Sequence, residues 1–381
     1  MTPAEAALQA ARDLAPGIRK AAADNEAARR LGEDTVASMR RAGLFAVLLP
    51  AAYGGAELPL PAAFAVIEEV AAADGSAGWC LLKGATTNQM AGYLPAAAAR
   101  RIWADPTIVT GGNLHPRGRA VEVAGGYRVT GRWDWGTGVA HSAWVVGGAV
   151  VVDAAGKPKP GPAPDLPETK AFVFPREATT VHDTWRAAGM RATASGEFEV
   201  RDLAVPAEHA FDGMVARPVV DGVNYAVPYI AQAMAPHAAV AVGVARGALA
   251  DFRELARSKV PTAGTSRLVE QGHVAEGVGR AEAMVHAARA TALAAVDAAW
   301  STARTQGRAR EDQLVHLSLA ATYATELCVA AVDLVHSLAG GSAVDEQAPL
   351  QRAFRDIHVA ATHVLVRSDK YVLGGRALLG P

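Results

Sequence analysis

His363 closes the run PLQRAFRDIHVAATH, which follows a Gly340-Gly341-Ser342 turn and starts with a proline suited to the first turn of a helix. A glycine turn feeding a helix that carries one imidazole can join a cofactor site to a catalytic group. An imidazole that titrates near neutrality can hold or move a proton there. His358 lies five residues earlier, about 140° away around a helix, so the two do not share a face and no metal pair is expected. HxxxH and HExxH do not occur, and the two cysteines, Cys80 and Cys328, sit in apolar sequence, which excludes a disulfide scaffold and a Cys-rich metal site. GxSxG, P-loop and Rossmann glycine patterns are missing as well, so hydrolase, NTPase and direct nicotinamide chemistry are not supported.

The second marked stretch is GGYRVTGRWDWGTG. Tyr127, Val129, Gly131, Trp133 and Trp135 alternate with Arg128, Thr130, Arg132 and Asp134, which places two indoles and a phenol on one face of a strand. Such a face is either the core of a sheet or a platform for a flat ligand.

Three units must position these groups. Residues 1–106 read as a helical unit: Ala4 to about Arg41 is helical with a break at Pro16-Gly17 and a restart near Gly32, Gly43–Pro61 is a loop, and two apolar helices follow. Residues 107–215 read as a small antiparallel β domain, with a Pro/Gly-rich excursion at 154–168. Residues 216–381 return to the helical period. There Val274, Val278, Ala281, Val285, Ala288, Ala292 and Ala295 form one narrow stripe, while Leu317, Ala324, Leu327, Ala331 and Leu334 form another, as in a four-helix bundle. With 37 Lys and Arg against 38 Asp and Glu, no global field points to nucleic acid or an anionic membrane. The N-terminal stretch lacks a basic start and an apolar run, no segment reads as membrane-spanning, and a cytoplasmic location is expected.

The order of these units resembles the acyl-CoA dehydrogenase superfamily, an α+β fold with an N-terminal helical domain, a middle antiparallel β domain and a C-terminal four-helix bundle. The strings GLFAVLLPAAYGGAELPLPAAFAVIEEVAAADGSAGW, GGYRVTGRWDWGTG, GMRATASGEFEVRDLAVP and LAGGSAVDEQAPLQRAFRDIHVAATH carry the resemblance. In detail the chain is most similar to the hydroxylase branch, the two-component flavin-dependent monooxygenases supplied with reduced flavin by a separate reductase. The resemblance implies a homotetramer, reduced flavin (FMNH2 or FADH2) between the β domain and the bundle, and O2 activation through a C4a-hydroperoxide to oxygenate a small-molecule substrate. Trp135 would lie against the isoalloxazine, and the hydroxyl or backbone N–H of Thr137 would bond its polar edge. Asn113, Trp185 and Ser195 would occupy further places near the flavin, as in similar proteins, while Gly340 and Gly341 resemble a glycine pair that approaches a flavin phosphate across a subunit interface.

His363 takes the catalytic place in this resemblance, as hydrogen-bond partner of the hydroperoxide or as base for the substrate. The carboxylate base of a dehydrogenase would fall near Val364 or within Tyr229–Met234, and neither place holds Asp or Glu. An FAD-dependent acyl-CoA dehydrogenase or an amine or nitro-compound oxidase is the alternative. The chain departs from phenol hydroxylases on the helix after Gly78-Trp79, where Lys83, Thr86, Thr87, Asn88 and Gln89 stand in place of a histidine. His115 is a further candidate for part of that role.

Overall fold

The computed structural model describes residues 1–162, 166–213, 217–262 and 264–380. The expected junction at 215/216 and part of the 154–168 excursion lie outside the described residues. Five helices come first: α1 (Pro3–Ala28), α2 (Glu33–Arg41), α3 (Leu60–Ala73), α4 (Gly75–Asn88) and α5 (Ala96–Ile102). α1 starts in a Thr2/Glu5 capping box and continues through Pro16. Pro16 therefore does not break the helix as its sequence suggested. It lies on a partly exposed face, where water can serve the carbonyl one turn back that lost its amide. The chain turns at Arg29 instead, which adopts φ 55° as helix C-cap, and the Asn25 side chain accepts from Gly32 N–H at 2.8 Å.

Seven strands follow among the described residues: β1 (Thr110–Val123), β2 (Gly126–Trp133), β3 (Trp144–Val152), β4 (Thr169–Pro175), β5 (Thr180–His182), β6 (Glu197–Pro206) and β7 (Ala210–Phe211). They form one sheet in the order β5-β6-β2-β1-β3-β4-β7. Every neighbouring pair is antiparallel except β1 and β3, which run parallel, so the expected antiparallel domain carries one parallel pair. Hydrophobic alternation reports which face a strand buries, not the direction of its neighbour. Trp133 is the centre of this domain. Its indole is fully buried, stacks on Phe198 at 5.0 Å and donates to the Gly148 carbonyl at 2.7 Å. Gly118, Gly131 and Gly147 make room for it, since a Cβ on any of them would come within 2.5–2.8 Å of the ring.

The C-terminal unit comprises α6 (Tyr229–Ser258), α7 (Gly272–Gln306), α8 (Glu311–Ala339), α9 (Pro349–Ala361) and α10 (Asp369–Leu379). Three helices are long, and two short ones, α9 and α10, stand where the fourth long helix was expected. On α7 the buried stripe passes through Val274, Gly277, Ala281, Val285, Ala288, Ala292 and Val296, leaving Val278 and Ala295 partly exposed, because a 3.5-residue spacing drifts around a 3.6-residue helix. By length and composition α6, and α8 extended to Ala343, are apolar enough to cross a bilayer, contrary to the sequence reading. In α6, 89% of that apolar window is buried inside the protein, so its hydrophobicity is used in packing; in α8 only 50% is.

The β domain docks on α9 through the segment after β5. Met190 N–H donates to the Asp356 carboxylate, and Arg355 donates to the Ala188 carbonyl at 3.0 Å and pairs with Glu26 of α1. Gly189 lies so close to α9 that a Cβ there would meet the Arg355 carbonyl oxygen at 2.1 Å.

Candidate active site

α4 begins at Asp74, whose carboxylate accepts from Ala77 N–H at 2.7 Å, and it is buried almost along its whole length. It therefore presents Trp79 and Lys83, one turn apart, to two other units at once. The Trp79 indole N–H donates to Thr137 Oγ1 at 3.3 Å. Thr137 Oγ1 is 2.6 Å from Ser195 Oγ, Ser195 Oγ is 2.7 Å from Thr193 Oγ1, and Thr193 donates to the Met190 carbonyl at 2.8 Å. An indole can only donate, and a carbonyl can only accept, so the direction of the whole chain is set: Trp79 to Thr137 to Ser195 to Thr193 to Met190. Thr137 N–H is also occupied, by the Trp135 carbonyl at 2.9 Å. Both donors of Thr137 that were expected to meet a flavin edge are thus engaged within the protein. What Thr137 and Ser195 offer is lone pairs.

The other end of Trp79 meets imidazoles. Its ring lies edge-on to His237 at 5.1 Å and to His363 at 5.4 Å, and these two rings stack on each other at 4.1 Å with 22° between planes. Lys83 Nζ stands between them, 3.2 Å from Nε2 of each, and 5.3 Å from the Trp79 ring centroid. His237 Nδ1 is 2.6 Å from the Ala233 carbonyl, which assigns the ring proton to Nδ1 and leaves Nε2 to accept from Lys83. Burial holds both imidazoles far below the usual histidine range, helped by the Lys83 charge; for His363, His237 and Lys370 add to the effect. Burial alone brings the Lys83 amine down to about 8. Among the described residues, no carboxylate contributes to the titration of any of the three.

Two expectations change here. His363 was read as a helical residue titrating near neutrality. In fact α9 ends at Ala361, Thr362 caps it by turning its hydroxyl to the Val359 carbonyl, and His363 stands in the turn that follows, with Nδ1 accepting from Leu365 N–H at 3.3 Å. Partly buried beside an amine, it is held well below the usual histidine range. His358 faces elsewhere, 3.3 Å from Asp333 of α8.

Trp135 does not share the buried strand face with Trp133. β2 ends at Trp133, and Trp135 adopts φ 55° with 65% of its surface exposed. A non-glycine residue held left-handed, presenting a bare indole, is the kind of strained backbone that functional sites retain. Asn113 supports this turn: its amide donates to the Asp134 carbonyl at 2.8 Å and its oxygen accepts from His115 N–H at 2.9 Å. The His115 side chain is exposed and has no contact with the imidazole pair. Trp185 reaches the site only indirectly, by donating to the Met190 carbonyl at 2.9 Å. Gly340, at φ 54°, and Gly341 form an exposed turn after α8 that Lys259 braces through the Ala339 carbonyl at 2.7 Å and Ser342 Oγ at 2.5 Å. None of the hydrogen bonds or ring contacts of the Trp79 cluster reaches that turn within one chain.

The acyl-CoA dehydrogenase N-terminal domain family matches residues 3–101 and the acyl-CoA dehydrogenase C-terminal domain family residues 235–368, together more than half of the chain. The chain belongs to the acyl-CoA dehydrogenase superfamily. A pigment production hydroxylase of Rhodococcus sp. (strain ATCC 21145) is 29% identical over 365 residues, 93% of this chain and 91% of the relative. The oxygenase subunit HsaA of a flavin-dependent monooxygenase of Mycobacterium tuberculosis is 28% identical over 411 residues, covering 99% of this chain and 96% of its own. Among solved structures, XiaF from Streptomyces sp. in complex with FADH2 and glycerol superposes with a TM-score of 0.92 at 25% identity, covering 99% of this chain and 96% of XiaF.

Within this superfamily fold, the residues that sequence reasoning missed are Lys83 as a participant and His237 altogether. His237 is the only basic group between Tyr229 and Val244, and Lys83 the only charge between Trp79 and Tyr93. A lone charge in an apolar helix was the available signal. What the sequence does not carry is the convergence of three separate elements on one amine.

Proposed function

We propose that the protein is the oxygenase of a two-component flavin-dependent monooxygenase: it takes reduced flavin, FMNH2 or FADH2, from a separate reductase and transfers one atom of O2 to a small, mostly apolar organic substrate. The observation that carries this reading is the neutral imidazole pair bridged by Lys83 beside the Trp79 indole, with no carboxylate acting on it among the described residues. Dehydrogenation of an acyl thioester needs a carboxylate to remove an α-proton. Val364, at one expected position, is an exposed valine, and Tyr229–Met234 supplies none.

The residues fit a flavin. The bare Trp135 indole offers a stacking face, and the Thr137–Ser195 lone pairs can accept from ring N–H groups. A reduced flavin bound there supplies the activation of O2. The chain's own part is to orient and to protect. Trp135 and Thr137 would hold the ring, with Asn113 and the Arg117–Asp134 ion pair fixing the Trp135 turn. Trp79 joins that turn to the imidazole pair, and both nitrogens of His363 are engaged, Nδ1 by Leu365 N–H and Nε2 by Lys83, so that any proton it moves passes through the amine. The buried stretches of α4 and α6 beside this cluster would keep water from it, which would limit unproductive loss of activated oxygen as peroxide. Gly340 and Gly341 would serve a flavin phosphate in a neighbouring subunit.

Self-association is supported by Val364, Val372, Leu373, Leu378 and Leu379, all exposed at the C-terminal end, together with Tyr323 of α8. We read this as a homotetramer, and the buried free thiols of Cys80 and Cys328 suit a reducing cytoplasm. The reading is tested by supplying flavin with an unrelated reductase under 18O2. Incorporation of one labelled oxygen into an aromatic substrate supports it; flavin-dependent desaturation of an acyl thioester without label would replace it.

A further inference from the structure

The hydrogen bonds around Lys83 take a different proton assignment for each charge state of the amine. His237 is settled, with its proton on Nδ1 toward Ala233 and Nε2 accepting from Nζ. His363 is not. Nδ1 accepts from Leu365 N–H at 3.3 Å, which requires the ring proton on Nε2, facing Nζ at 3.2 Å. Nζ can accept that proton only through the lone pair of a neutral amine. If Lys83 is instead an ammonium, both Nε2 atoms must accept, and the His363 proton moves to Nδ1, where it opposes the Leu365 amide donor.

We infer that Lys83 is the resting place of a proton that His363 conducts, so that the protonation of Lys83 decides which nitrogen of His363 bears its hydrogen. In the acid form Nζ carries three protons and His363 is protonated on Nδ1. In the alkaline form Nζ carries two and His363 is protonated on Nε2. Passing from the first to the second, Nζ gives one proton to Nε2, Nδ1 releases one, and the pair loses one proton overall. The reverse passage takes up a proton at Nδ1 and leaves the charge on the amine. An imidazole that is far too weak a base on its own thereby becomes an effective one, because the positive charge ends on Nζ. The amine, brought down to about 8 by burial, is placed to exchange this proton near neutral pH.

The groups facing the amine are few. Among the described residues, α4 contributes Trp79, α6 contributes His237, the turn after α9 contributes His363, and Lys370 of α10 acts on His363. Tyr229 points its hydroxyl to the Thr86 carbonyl at 3.4 Å and stays protonated, its burial raising it well above the usual range. The inference gives the proposed oxygenase site its acid–base group and rests on that reading only for its use in turnover. The proton inventory belongs to the flavin-free protein.

The test uses flavin-free protein labelled with 15N-histidine, in which two-bond 1H–15N correlations distinguish the tautomers, with His363→Gln and His237→Gln for assignment. Between pH 6.5 and 9.5, His237 is expected to remain the Nδ1–H tautomer while His363 changes from Nδ1–H to Nε2–H with a midpoint near 8. In Lys83→Met the change disappears. In Lys83→Arg, which keeps its charge over this range, His363 stays Nδ1–H, and this variant decides the matter if the first does not fold. A single His363 tautomer throughout in the wild type, or a change that persists in either variant, overturns the inference. In turnover with reduced flavin, the pH profile should lose its limb near 8 in Lys83→Arg. An intact tautomer change in a protein that never incorporates oxygen would contradict the proposed function and leave the inference standing. Incorporation with a fixed tautomer would do the opposite.

Discussion

Trp133 and Trp135 are two residues apart and make opposite predictions. The Trp135 side chain is 65% exposed. A tryptophan presents at most about 250 Å², so roughly 160 Å² of it is bare, and a flat ring laid on one face covers about half of that. At about 25 cal/mol per Å² the contact stabilises a bound flavin by about 2 kcal/mol. Trp135→Ala should therefore weaken reduced-flavin binding roughly 30-fold, while changing the folding stability of the flavin-free protein by less than about 0.5 kcal/mol, as for any surface truncation. Trp133→Ala removes the fully buried ring that Gly118, Gly131 and Gly147 enclose. It should cost about 3–5 kcal/mol and leave the Gly148 carbonyl without its donor. The assays are urea unfolding of the flavin-free variants and anaerobic titration with reduced FMN and FADH2. Several kcal/mol of lost stability in Trp135→Ala, or an unchanged dissociation constant, would refute the assignment of the bare indole to the cofactor.

Three further perturbations follow from the same geometry. The folded-state value of Lys83, about 8 against 10.5, means that the unfolded chain binds more protons between those pH values, so wild-type stability rises across that window. Relative to Lys83→Met, the wild type should gain about 2 kcal/mol from pH 7 to pH 10.5, discounted from about 3 for the residue's partial exposure, as read by urea unfolding at both pH values. Asp356 is raised to about 7, chiefly by burial and then by Asp74, so the folded protein holds its proton more tightly and loses stability as pH climbs from about 4 to 7. Asp356→Asn keeps an acceptor for Met190 N–H and should unfold at higher urea than wild type at pH 7.5, with the advantage gone at pH 4. Gly189→Ala forces a methyl onto the Arg355 carbonyl. It should cost about 2–3 kcal/mol and, by displacing the Met190–Ser195 segment, weaken flavin binding as well.

Much of this was legible in the sequence because the relevant signals are local. The change of hydrophobic period from helical to alternating and back follows the helical, sheet and helical order of the fold, and GRWDWGTG and PLQRAFRDIHVAATH carry Thr137 and His363, which both meet Trp79. Trp135 could not be told from Trp133 by alternation, since leaving the strand depends on a backbone turn held by Asn113, 22 residues away. The parallel pairing of β1 with β3 was hidden for the same reason: it is a property of the sheet and not of either strand. The end of α9 just before His363 has no glycine or proline to announce it. The engagement of the Thr137 donors needs Trp79 and Ser195, each 58 positions away, to be brought to one point. His237 stands just beyond Tyr229–Met234, and a lone imidazole among alanines does not announce the lysine 154 positions away that it meets.

The most direct test of the central claim is rapid mixing of the protein, loaded anaerobically with reduced FMN or FADH2, with O2 while the absorbance spectrum is recorded. The proposed monooxygenase should give a transient flavin–oxygen spectrum that outlasts reoxidation of free flavin, and it should do so with the flavin the protein binds. Immediate return to oxidised flavin with both cofactors would contradict it.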